Sequence, residues 1–249
     1  MTISYVVCAA LAMIGSKINI KPVTDEERIV GGYEADIENH PYQVSYIVNR
    51  SYFCGGFIIS DRYILTAGHY YNGTSCDPST VLLRAGSSFR SNGTVIPIAE
   101  VIPHPEYNDP AFDKDVAVMK TVDPIPFSNV IQPISLPPQG RQLVAASRIF
   151  TAATIPERLR AVDIPVVDHN VCKRAYSDVL SENEFCAGHF LFGGQGACQG
   201  DSGGVATQDD FAVGIVSFGR GCAYPLSPDV YADVAAPTIR EFIAFHTGL

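Results

Sequence analysis

Gly200-Asp201-Ser202-Gly203-Gly204 decides the reading of this chain, because it has three partners elsewhere in the sequence. Upstream stand Leu65-Thr66-Ala67-Gly68-His69, then Asp115-Val116-Ala117-Val118-Met119, and near the start Arg28-Ile29-Val30-Gly31-Gly32. A serine between glycines occurs in many loops and means little alone. Its hydroxyl is a weak nucleophile at neutral pH and needs a base to take its proton as it attacks a carbonyl. Histidine suits that task, with an unperturbed pKa of about 6.5. A buried carboxylate on the second ring nitrogen fixes the tautomer and stabilises the imidazolium that forms. Among the histidines, His69 alone follows an apolar, strand-like run, Tyr63-Ile64-Leu65, and then small residues, which puts it at a strand end facing a cleft. Asp113 is the rival carboxylate. It sits beside Lys114 in a polar approach, whereas Asp115 directly precedes the Val-Ala-Val-Met run.

From Ile29 to the C-terminus, these four segments in this order resemble the chymotrypsin/trypsin-like serine proteases. The resemblance implies Ser202 as nucleophile, His69 as general base and acid, and Asp115 as the orienting carboxylate. The backbone N–H groups of Gly200 and Ser202 would then stabilise the oxyanion, each such donor being worth about 100- to 1000-fold in rate. It also implies a propeptide over residues 17–28, cut after Arg28, so that the freed Ile29 amine pairs with Asp201 and orders the pocket. The implied fold is all-β: two six-stranded antiparallel barrels with the site between them and a C-terminal helix.

The implied substrate pocket departs from its trypsin-like form. Six residues before Ser202, where trypsin-like members carry aspartate, this chain has Gly196. The rim reads Ser217-Phe218-Gly219, and Asp229 stands on the opposite wall where relatives usually have glycine. A glycine floor with an acidic wall is similar to the crustacean collagenase-like branch, whose pocket accepts apolar and basic residues. Burial is expected to raise the Asp229 pKa. A second departure lies between Val144 and Pro156, where the family's Gly-Trp-Gly element is missing from a chain that has no tryptophan at all. That stretch reads as several residues short, which would leave the neighbouring pocket mobile.

The chain has 249 residues, 47% of them hydrophobic, enough to bury a substantial core as one domain. A formal charge of −9 argues against nucleic-acid and anionic-membrane partners. The apolar run Ile3–Ile14, followed by Gly15 and Ser16, reads as a secretory signal over residues 1–16 and is too short for a membrane helix. The enzyme domain would then span 29–249, secreted and monomeric. Setting Cys8 aside with the signal leaves six cysteines, an even number that suits an oxidising compartment. The family pattern pairs Cys172 with Cys186 and Cys198 with Cys222. It usually places a further cysteine directly after the catalytic histidine, where this chain has Tyr70, so Cys54 is expected to pair with the displaced Cys76.

Zinc-type spacings are absent, and Ser87–Asn92 lacks the glutamates that bind calcium in some relatives; neither a metal nor a cofactor is expected. Sequons begin at Asn49, Asn72 and Asn92. Short β-rich runs at 43–48, 56–59, 63–66, 81–85, 116–120, 161–167 and 212–218, separated by turn residues, argue for antiparallel β structure, and 236–246 for an amphipathic helix. The expected partners are protein or peptide substrates, an activating trypsin-like protease and protein inhibitors. The competing reading is a non-catalytic homologue acting as a binding or regulatory module.

Overall fold

The computed structural model describes residues 29–48, 51–71, 78–108, 111–153, 157–177 and 179–249. The signal and propeptide, Arg28, Cys76 and the sequon residues Asn49 and Asn72 lie outside these. Two β units stack side by side. After the short β1 (Tyr33–Glu34), strands β2 (Gln43–Val48), β3 (Ser51–Ile58), β4 (Tyr63–Thr66), β5 (Val81–Ala85), β6 (Thr94–Pro103) and β7 (Ala117–Thr121) close a barrel. Its order is β2-β3-β4-β7-β6-β5, with antiparallel neighbours throughout.

Alternation explains its core. In β5, Val81, Leu83 and Ala85 point inward, and Ile96 and Ile98 do the same from β6. Ile64-Leu65 in β4 and Ala117-Val118-Met119 in β7 are consecutive apolar residues, because both faces are buried there. Ile64 and Met119 face the barrel interior, whereas Leu65 and Val118 face a second cluster shared with the other unit. That shared cluster contains Phe57, Val116, Val205, Ile215 and Val234. It therefore seats the ends of β4 and β7, and with them His69 and Asp115, against the second unit.

The second unit is a seven-stranded sheet that joins β1 to β8 (Arg148–Ala153), β9 (Arg160–Pro165), β10 (Glu184–Ala187), β11 (Val205–Gln208), β12 (Phe211–Phe218) and β13 (Asp229–Asp233), in the order β1-β9-β8-β11-β12-β13-β10. A bridge between Val166 and Ala187 links β10 back to the end of β9 and curls these six strands toward a second barrel. Two helices complete the fold. In α1 (His169–Tyr176), the Asp168 side chain caps the amides of Asn170 and Val171. The C-terminal α2 (Pro237–Thr247) starts with proline and ends at Gly248 in the left-handed region. Ile239, Phe242 and Ile243 bury its apolar face in the shared cluster, each contributing roughly 1.5–3 kcal/mol.

The region that reads as short does form a strand. Six residues of β8 pair with β9, and Thr151 is fully buried with its hydroxyl donating to Val205 O. Residues 154–156, at the end of that stretch, lie outside the described residues. Cys172–Cys186 and Cys198–Cys222 are disulfides, with Cα separations of 5.8 and 4.8 Å. Cys54 is buried beside Tyr70, and its expected partner Cys76 falls outside the described residues. Asn92 is exposed, with its side-chain oxygen accepting from the Gly93 amide. Among the described residues no helix is long and apolar enough to cross a membrane, and no cluster of potential metal ligands occurs.

Candidate active site

His69 lies on a single 3-10 turn, Gly68–Tyr70, just past the end of β4. Its Nδ1 meets Asp115 Oδ2 at 2.8 Å, and its backbone N–H donates to Asp115 Oδ1 at 2.7 Å. The carboxylate thus holds both the ring and the turn that carries it. Asp115 is fully buried, and the Ser217 hydroxyl also donates to it. Burial alone would push the Asp115 carboxyl up. The charge and hydrogen bonds of His69, with the Ser217 bond, outweigh burial and hold it below its ordinary value.

Asp113 is engaged elsewhere. It pairs with Lys114 Nζ at 2.6 Å and accepts from Ser181 Oγ and Asn183 Nδ2 at 2.6 and 2.8 Å. Between the rival carboxylates, the structure brings only Asp115 to His69.

Ser202 sits on the loop between the Cys198 disulfide and β11, laid against the first barrel. The Gly55 amide donates to Ser202 O at 3.0 Å. Gly203 permits this approach: its φ is +74°, and a Cβ there would lie 2.4 Å from Thr66 Oγ1 and 2.5 Å from Gly55 O. Gly200 also has positive φ, +87°, as the turn before the serine requires. Tyr70 ties the pieces together. It lies edge-on to the His69 ring at 4.2 Å, and its buried hydroxyl faces Cys54 and Ser202. Burial, then Cys54, pushes this phenol well above its usual value, with Ser202 opposing. Sequence reading marks Tyr70 only as a missing cysteine; its placement against the serine is visible only in three dimensions.

The front of the domain packs beside this loop. Ile29 is fully buried, and Val30 and Gly196 exchange backbone hydrogen bonds at 3.0 and 3.2 Å. Asp201 is fully buried and accepts from the Cys198 amide.

Two of the expected pocket residues make contacts that the sequence alone does not give. Ser217 turns its hydroxyl to Asp115 rather than offering it to the pocket, because the buried carboxylate is the stronger acceptor. Asp229 turns its carboxylate toward Gly196. Its Oδ2 lies 2.3 Å from where a Cβ on Gly196 would stand and accepts from the Ala197 amide at 2.7 Å. The carboxylate reaches the floor and takes the space a residue-196 side chain would fill. A Cβ on Gly219 would be 3.5 Å from Asp229 Oδ1.

Burial pushes the Asp229 carboxyl up to about 8. The folded protein therefore keeps a proton that the unfolded chain releases above its ordinary value of 3.8, so stability is full at low pH and is lost as pH rises toward 8. Asp229→Asn, which keeps the acceptor to Ala197, is expected to reduce that decline by about 2–5 kcal/mol between those limits. Denaturant midpoints at successive pH values measure it, and parallel curves for the two proteins would refute it.

Comparison with known proteins agrees with this architecture. The family profile described as Trypsin matches residues 29–243. The chain is 36% identical over 232 residues to a trypsin of Phaedon cochleariae, covering 89% of each chain. It is 34% identical over 265 residues to trypsin 5G1 of Aedes aegypti, covering all of this chain and 97% of that one. It is 36% identical over 236 residues to anionic trypsin of Canis lupus familiaris, covering 90% of this chain and 92% of that one.

Proposed function

The chain belongs to the trypsin family of serine proteases, and from that we propose a secreted endopeptidase working through Ser202, His69 and Asp115. The observation that carries the reading is the double contact of Asp115 with His69, at 2.8 and 2.7 Å, beside the loop that presents Ser202. His69 Nε2 takes the Ser202 proton as Oγ attacks the scissile carbonyl. Asp115 holds the Nδ1–H tautomer and stabilises the imidazolium without itself becoming protonated. The Gly200 and Ser202 amides receive the oxyanion, and His69 then protonates the leaving amine. Water, deprotonated by the same imidazole, hydrolyses the acyl-enzyme. The catalytic competence of this constellation separates the enzyme from a binding homologue. Treatment of protein cleaved after Arg28 with a fluorophosphonate should add one phosphonyl group at Ser202, and His69→Ala should label far more slowly. Unlabelled Ser202 in correctly cleaved protein would favour the binding module.

The pocket supports a broad preference. With Asp229 neutral and tucked over Gly196, the open rim at Gly219 admits aromatic and leucine side chains. A lysine or arginine entering the pocket would meet the same carboxyl and stabilise its ionised form, releasing the proton. Cleavage after arginine is therefore expected to gain in kcat/KM as pH rises toward about 8, relative to cleavage after phenylalanine. Asp229→Gly should lower arginine cleavage by about 100-fold or more while leaving phenylalanine cleavage within a few-fold. Strict arginine and lysine cleavage in the wild type, or arginine cleavage unchanged in the variant, would exclude this pocket reading.

A further inference from the structure

Behind Asp115 lies a second buried carboxyl that the proposed chemistry does not use. Glu184 opens β10 and is only 3% exposed. Its Oε2 accepts from the Ser181 amide at 2.7 Å, while its Oε1 is buried without a hydrogen-bond partner among the described residues. The same Ser181 donates through Oγ to Asp113 Oδ1, which Asn183 of the same turn also reaches at 2.8 Å. Asp113 is two residues from Asp115, in a loop where Lys114 is held at φ +55°. One continuous set of bonds thus runs from Glu184 through Ser181 to Asp113 and the loop that presents Asp115 to His69.

We propose that Glu184 is a positioning residue, which in its neutral form anchors the 181–183 turn beneath the Asp115 loop and in its ionised form releases that anchor and slows the enzyme. This rests on the reading of His69, Asp115 and Ser202 given above. Three carboxyls, Asp113, Asp115 and Glu184, share this region. Lys114 compensates Asp113, and His69 compensates Asp115. Facing Glu184 from the adjoining elements are Asp113 and Asp115 from their loop and Ser181 from the turn, while β13 beside it carries Asp229, Tyr231 and Asp233. Glu182 of the turn is exposed and paired with Lys173 and His169. None of these offers Glu184 a cation of its own.

Burial pushes the Glu184 carboxyl up to about 8; the Ser181 bonds pull against that, and Asp113 and Asp115 add to it. An ionised Glu184, close to Asp113 and Asp115 and with no cation among the groups that face it, is driven outward toward water. Swinging outward breaks its bond to the Ser181 amide and frees the turn, and a shift of about 1 Å in a catalytic pair costs up to about 100-fold in rate.

The test measures kcat and KM on activated wild type, Glu184→Gln and Glu184→Leu with one phenylalanine peptide substrate across neutral and alkaline pH. Glutamine keeps the acceptor to Ser181 but cannot ionise. It should match wild type within about twofold at neutral pH and move the alkaline limb of kcat upward by about one pH unit. Leucine removes the acceptor and should lower kcat about tenfold at every pH with KM little changed. Superposable pH profiles for wild type and Glu184→Gln would overturn the proposal, as would an unchanged kcat in Glu184→Leu. Should the leucine variant not fold, the glutamine profile decides alone. Fluorophosphonate labelling of wild type comes first: if Ser202 does not label, the triad reading has failed; if it labels and the profiles coincide, only the role of Glu184 has failed.

Discussion

Ser202→Ala is expected to lower kcat about a millionfold, leaving about 1,000- to 10,000-fold acceleration over water from the oxyanion donors and substrate binding. His69→Ala should fall equally far, because the serine without a base and the base without a serine are both inert. The double variant should be no worse than either single one, since the two residues act as a unit. Asp115→Asn should retain the geometry yet lose about 10,000-fold, the amide holding the wrong imidazole tautomer. Here the effect should be sharp, because Asp115 is fully buried and grips both the ring and the backbone of His69. Steady-state kinetics on protein cleaved after Arg28, with active sites titrated to exclude contaminants, supply the measurement. A variant of Ser202 or His69 within tenfold of wild type would remove the triad assignment.

Cleavage after Arg28 should bring the second large change. Arg28→Gln protein exposed to a trypsin-like protease is expected to stay at least about 100-fold below activated wild type, and N-terminal sequencing of the active form should begin at Ile29. The motive is that Ile29 and Asp201 are both fully buried and that Val30 exchanges backbone hydrogen bonds with Gly196, five residues before Asp201. A carboxylate buried there without a cation is costly, and removing one member of such a pair typically costs about 3–5 kcal/mol. Asp201→Asn in correctly cleaved protein should accordingly reduce kcat/KM by about 100- to 1,000-fold, since the loop that carries Gly200 and Ser202 loses its tie. Full activity in protein that keeps residues 17–28 would sink the activation scheme.

Much of the fold is legible from local pattern. The strand runs read at 43–48, 63–66 and 81–85 coincide with β2, β4 and β5, where alternation or unbroken β-branched sequence leaves little choice. Strand β6 escapes such reading because Pro97 and Pro103 interrupt it, although its inward residues Ile96, Ile98 and Val101 still seal the barrel. Strands β10, β11 and β13 are four or five residues long, and β10 and β11 each gain a partner far away in sequence, β13 and β8. Strand β8 has strand-forming residues only at Ile149, Phe150 and Thr151, and its ladder to β9 extends it over six residues.

The sequence by itself determined the chemistry on offer: a serine in a glycine loop, a histidine at a strand end, an aspartate before an apolar run and a basic residue before Ile29. Residue type and local spacing suffice for that, because each motif must build its own turn or strand end. Only the tertiary structure decided where the side chains go. It turned Ser217 toward Asp115, carried the Asp229 carboxyl across to the floor at Gly196, set the Tyr70 hydroxyl between Cys54 and Ser202, and placed Glu184 beneath the Asp115 loop. These are contacts between segments distant along the chain. They follow from how each β unit closes on itself and from the face the two share, and a buried polar group takes whichever partner that burial leaves within reach.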